Sequence, residues 1–137
     1  TEEMNRIPLV AVQTALYKLL KAHQTTTVYD DLPKEPVLPC ITFGGFTCKE
    51  NGAKGSDISD VSIQLQIWSE YQGKSEVNGI ADDVSTVIGK VRVDLIGYGF
   101  YCLSQSVDFF ESFPEEDEGY RGIVTIVLKV QNQEGSV

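Results

Sequence analysis

Among its 137 residues the chain has one histidine, one tryptophan and three cysteines, and each scarcity closes off a kind of chemistry. His23 has neither a cysteine nor a second histidine at ligand spacing, which leaves no recognisable metal site. No serine or cysteine has a histidine base placed beside it by sequence logic either. Cys40, Cys48 and Cys102 are odd in number and form no CxxC pair, so they are expected to be reduced thiols packing as small apolar groups. Long hydrophobic runs are absent too. Nothing approaches the roughly 18 consecutive apolar residues of a membrane span. The opening TEEMNRIPLVAVQ turns from acidic to amphipathic, without the basic and apolar regions of a signal peptide. The expectation is a protein made in the cytosol, with no membrane partner. Positive charge is also scarce: 11 Lys and Arg against 20 Asp and Glu give a formal charge of -9. That is the wrong sign for neutralising phosphates along a nucleic acid, so tight DNA binding is not expected.

What is present suffices for a fold. With 42% hydrophobic residues the chain can bury a core without disulfides or metals, and one domain over residues 1–137 is expected. Leu9, Val12, Leu16, Leu19 and Leu20 follow helical spacing from Ile7 to Ala22 or His23, with Pro8 suited to the first turn. The β-branched stretch at Thr26–Tyr29 reads as a short strand. Pro33, Pro36 and Pro39 then make a stiff extended connector into a second strand over Cys40–Thr47. KENGAKGSD, Lys49 to Asp57, has turn chemistry but more length than a hairpin needs, and reads as a projecting loop. Val61, Ile63, Leu65 and Ile67 alternate with Ser62, Gln64, Gln66 and Trp68, which predicts a one-faced strand. Helix two is expected between Ser75, as N-cap, and Val91. Gly97 and Gly99 mark a turn, Phe100–Val107 a strand, SFPEEDEGYRG an acidic connection, and Tyr120–Gln131 a last strand before a frayed tail at 131–137. In that strand Val124, Ile126, Leu128 and Val130 share one face, while Ile123 and Val127 make the other partly apolar, as expected of a central strand or of one covered by a partner. The class is α+β: a single domain with a mostly antiparallel β-sheet and two α-helices packed on one face, in the order α-β-β-β-α-β-β.

The chemical motifs are thin. Gly73-Lys74-Ser75 lies between a strand and a helix, like a phosphate-binding loop, but the glycine that motif needs five residues earlier is Trp68. A turn glycine, a solvated lysine and a capping serine explain it as well; a small nucleotide- or ligand-binding domain is the reading from another class. GYGFYC leads into a strand and lacks the third glycine of a dinucleotide fingerprint. Asp30 and Asp31 are adjacent on an extended chain, which points their carboxylates to opposite sides and suits a turn entry better than acid–base work. Asp82 and Asp83 fall outside the apolar stripe of helix two. Trp68 and Tyr71 read as strand-end aromatics capping the core, with a binding hot spot as the alternative.

Taken in order and spacing, VYDDLPKEPVLPCITFG, SIQLQIWSEYQGKSEVNGIADDVSTVI and EDEGYRGIVTIVLKV resemble the tail-completion or tail-terminator (head-to-tail joining) proteins of long-tailed bacteriophages and prophages. The resemblance covers nearly the whole chain; Cys40 departs from it, where an aromatic or aliphatic residue is expected. It implies a structural virion protein, not an enzyme, with no cofactor. It implies a homo-oligomer, a hexameric ring assembled in the host cytoplasm and resident at the head–tail interface. That ring would cap the completed tail tube and present a surface to the DNA-filled capsid, with DNA passing through its channel without specific binding. Partners would be the tail tube protein and a head-completion or connector protein; a connector-side head-completion protein is the alternative within the class. On that footing Lys49, Glu50, Asn51 and Lys54 are expected to contact the tail tube, Ile123 and Val127 to form the subunit interface, and Glu115, Glu116, Asp117 and Glu118 to line the channel.

Overall fold

The structure, a computed structural model, describes residues 7–50 and 57–133. Helix α1 covers Leu9–His23 and strand β1 Thr27–Tyr29; β2 is Cys40–Glu50 and β3 Ile58–Ser69. Helix α2 covers Ser75–Lys90, a 3-10 turn follows at Ile96–Tyr98, and β4 (Phe100–Pro114) and β5 (Tyr120–Asn132) complete the chain. Five strands form one sheet in the order β1-β2-β3-β5-β4, antiparallel except at β1–β2.

Each helix buries one stripe. In α1 it is Ala11, Val12, Ala15, Leu16, Leu19 and Leu20. In α2 it is Val77, Ile80, Ala81, Val84, Val87 and Ile88. Spacings of three and four place these residues on one side of a 3.6-residue period. Both stripes pack on the sheet face made by Ile41, Phe43, Val61, Ile63, Leu65, Ile67, Val124, Ile126, Leu128 and Val130, which is the core. Full burial of each such aliphatic side chain contributes about 1.5–3 kcal/mol, which outweighs the modest intrinsic propensities of two helices this short. Gly122 lets α2 approach: a Cβ there would stand 2.9 Å from the Phe110 ring and 3.0 Å from Val77.

Side chains close the helix ends. Gln24 donates to the carbonyls of Leu20 and Thr26 at 3.1 and 2.8 Å and accepts the Thr26 N–H at 2.9 Å, turning the chain from α1 into β1. At the other helix, Gln105 of β4 donates to the carbonyls of Ile88 and Val91 at 2.9 and 2.6 Å and accepts the Val93 N–H at 2.9 Å. One glutamine thereby satisfies carbonyls that a helix end otherwise leaves open.

The expected class and element order hold, with local corrections. β1 and β2 pair in parallel, Thr27 with Cys40 and Tyr29 with Thr42, so the proline connector runs back alongside the pair instead of turning. Prolines bias the chain toward extended geometry, and three paired residues need only a short return path. Ser75 is the first helical residue, Lys74 sits in the cap position, and no side chain among the described residues caps the helix. Pro8 likewise precedes α1. β4 reaches Pro114, well beyond Val107; register shifts at Cys102/Ser104 and Val107/Phe109 break the alternation by which a strand is recognised and so hide its second half in the sequence. The acidic connection shrinks to a hairpin loop between Pro114 and Tyr120, closed by the Glu115 N–H bonding the Gly119 carbonyl at 2.9 Å. Gly119 has φ 88, and a Cβ there would lie 2.1 Å from the Ser69 carbonyl oxygen, so only glycine fits.

Candidate functional site

Because both helices cover one side of the sheet, the other side is left open. It is built from the alternate residues of the same strands. Gln66 pairs with Ile123, Gln64 with Thr125, Ser62 with Val127 and Asp60 with Lys129 across β3–β5. Glu111, Phe109 and Ser106 continue these rows on β4. Ile123 and Val127, the expected interface residues, lie here half-buried, as the phase of the strand dictates. Phe109, beside Thr125, remains 49% exposed. A methyl- and aromatic-bearing strip thus runs through the middle of an otherwise polar face.

The two ends of this face are charged. At one, Arg121 stacks on Trp68, 4.0 Å from its ring centroid, with the Phe113 ring at 5.8 Å. Its guanidinium bonds the Glu115 carboxylate and donates to the Gln66 side-chain oxygen at 2.8 Å. Gly44 leaves room for that glutamine, since a Cβ there would meet the Gln66 side-chain nitrogen at 2.9 Å. Trp68 donates to Thr42 at 3.0 Å. Trp68 is therefore a platform on the open face and not a cap on the core, a placement already implied by its sharing the phase of Ser62, Gln64 and Gln66. At the other end Lys129 pairs with Asp60 at 3.4 Å.

The remaining expected residues are dispersed. Lys49 and Glu50 are the exposed last residues of β2, not part of a loop. Asn51 and Lys54 lie outside the described residues. Glu115 is held by Arg121, while Glu116, Asp117 and Glu118 project exposed from the β4–β5 hairpin. Gly73-Lys74-Ser75 forms an open turn. It lines no part of the cleft of about 660 Å³ between α1 and the segment after α2, bounded by Lys18, Leu19, His23, Arg92, Asp94 and Tyr98. Asp30 accepts a hydrogen bond from the Gln13 side chain at 3.0 Å, tying the connector to α1, and Asp31 is exposed. Burial pushes the Cys40 thiol up to about 11, and burial also raises Cys102 against the lowering effect of Arg92. Neither is an activated nucleophile.

What stands out is the open sheet face with its apolar strip. A family model described as tail completion protein gp17 matches residues 10–130. The chain belongs to that family. It is a tail completion protein, a structural component of the virion tail. Sequence comparison with curated proteins finds no match. Two solved structures share the fold of this tail completion protein. One, from the virion of the native gene transfer agent particle, superposes with a TM-score of 0.76 at 16% identity, covering 90% of this chain and 97% of the other. The second, the bacteriophage SPP1 gp17 protein, gives a TM-score of 0.58 at 13% identity over 98% and 100% of the two chains. Arg121, Phe109 and Thr125 do not stand out in the sequence alone. Arg121 and Thr125 share the phase of Ile123 and Val127, which is the available signal.

Proposed function

We propose that this tail completion protein forms a closed ring, expected to be a hexamer, that caps the finished tail tube and presents its opposite side to the head-completion or connector protein. The observation that carries the proposal is the open sheet face, where Ile123, Val127 and the exposed Phe109 form an apolar strip that the protein's own helices do not cover. In a ring of more than two copies each subunit uses two different surfaces, and this strip supplies one of them. The strip is flanked by fixed polar groups, Arg121–Glu115 and Asp60–Lys129, which suit the rim of a protein contact.

The formal charge of -9 supports passage of DNA by sliding, since a cationic wall would hold phosphates. Glu116, Asp117 and Glu118, exposed on the hairpin, line the channel in this reading. Glu115, neutralised by Arg121, contributes shape more than field. Lys49 and Glu50, at the exposed end of β2, face the tail tube, and the role of the protein is structural, not enzymatic.

Electron microscopy and native mass spectrometry of the protein, alone and with tail tubes, test the reading together with the double variant Ile123→Lys/Val127→Lys. Rings and capped tubes are expected from the natural sequence, and a folded, non-assembling subunit from the variant. A natural protein that stays monomeric even with tubes refutes the ring; a variant that caps normally refutes the assigned interface.

A further inference from the structure

The ring needs a second surface to meet the open face, and the inference that follows rests on that reading. Two independent observations describe what the open face lacks. Its apolar strip is uncovered at Phe109, Ile123 and Val127. Between them, Thr125 is only 5% exposed and its hydroxyl has no hydrogen-bond partner. A hydroxyl shut away from water without a partner costs stability, a cost that a donor from another chain removes only if the side chains over Thr125 move aside as the two pack together.

The start of α1 carries the complement. Ile7 and Val10 are 69% and 73% exposed and Leu9 is 37% exposed, an apolar group at the entry to α1 and on its first turn with nothing among the described residues of this subunit over it. The first intrahelical bond runs from the Val12 N–H to the Pro8 carbonyl at 2.9 Å, so the amides of Leu9, Val10 and Ala11 precede the ladder. No side chain among the described residues caps this terminus. The turn therefore offers apolar side chains and N–H donors together. It also belongs to the helix layer, on the side of the sheet away from the open face.

We propose that the first turn of α1 in one copy packs onto the open face of the next copy, over Phe109, Ile123 and Val127, with Thr125 beneath. The two patches differ and lie on opposite sides of the sheet, so the contact repeats head to tail and cannot be satisfied by a two-fold pair. An apolar contact is also what acidic copies can use: like charges oppose association, and salt that screens them favours it.

Cysteine cross-linking tests this on the full chain. Val10→Cys and Phe109→Cys are made singly and mixed under mild oxidation in the presence of tail tubes, with the natural sequence and each single variant as controls for Cys48 and Cys102. Cross-linked dimers only in the mixture, and a ladder up to the closed ring from the double variant, are expected. Rings without any cross-link overturn this contact while leaving the ring standing. A cross-link from Val10→Cys to the tube protein overturns it by assigning the turn to the tube. Failure of the natural protein to assemble at all refutes both readings. As a second measurement, Thr125→Val removes the hydroxyl and keeps the shape: an unchanged or higher melting temperature with weakened assembly is expected, and assembly at unchanged strength removes Thr125 from the contact.

Discussion

The two faces of the sheet are made by neighbouring residues of the same strands, yet they differ in nearly every physical respect. On β5, Ile126 is fully buried beneath the helices and Val127, the next residue, is half-buried on the open side. The covered face is uniformly apolar and continuous across β2, β3 and β5, whereas the open face mixes glutamine, serine and threonine with a few apolar side chains and ends in paired charges. A face that a protein's own helices cover can be built for burial alone. In the proposed ring the open face would stay in water before assembly and lose water afterwards, which calls for both kinds of group, and a mixture of this sort would also keep free subunits from associating indiscriminately.

The largest test of this contrast compares those neighbours. Ile126→Ala is expected to destabilise the free subunit by about 2–5 kcal/mol, the cost of a core cavity that cannot collapse. Val127→Ala is expected to cost under about 1 kcal/mol, because part of its side chain already meets water. Chemical denaturation of the two variants checks this, and equal losses would mean that the open face contributes as much to monomer stability as the core does.

An intermediate effect is expected at Arg121, which joins β3, β5 and the β4–β5 hairpin through Trp68, Gln66 and Glu115. Replacing it with Ala removes a stacked cation and two charge-assisted bonds from a partly buried site, for an expected loss of about 1–2 kcal/mol in the same denaturation measurement. Arg121→Lys should recover less than half of that, since an ammonium cannot stack and fork at once. Full recovery by lysine would reduce the cluster to its charge.

Least is expected from Lys129→Ala. Its partner Asp60 and the lysine itself are about half exposed, at 50% and 45%, and 3.4 Å apart. Such pairs contribute less than about 0.5 kcal/mol once solvent and salt screen them. A measurable loss that persists in high salt would show this end of the open face to be more enclosed than its exposure indicates.

Much of this molecule is legible in residue order. Helical spacing marks both helices, and strict alternation through Val61–Ile67 marks β3 and tells which of its side chains turn inward. The phase of Ile123 and Val127 places them on the opposite side from Val124 and Ile126, because a strand's side chains alternate whatever surrounds them. The extent of β4 is not legible, since two register shifts break its period. Nor is the missing cap on α2: Ser75 has the chemistry of a cap, but Lys74 occupies the cap position.

The tertiary structure alone decided what lies between sequence-distant groups. Gln105 closes the end of α2, and Arg121 meets Trp68, Gln66 and Glu115, because pairing β5 with both β3 and β4 brings them together; no local pattern encodes such pairings. The same holds for the parallel pairing of β1 with β2, which depends on where the proline connector leaves the chain and not on the residues that pair. Sequence by itself determined periods, and therefore which side of each element is apolar, since local backbone geometry sets the direction of every side chain. Which apolar sides cover one another, and which is left open, depended on the order in which the strands pair and on both helices settling on a single face.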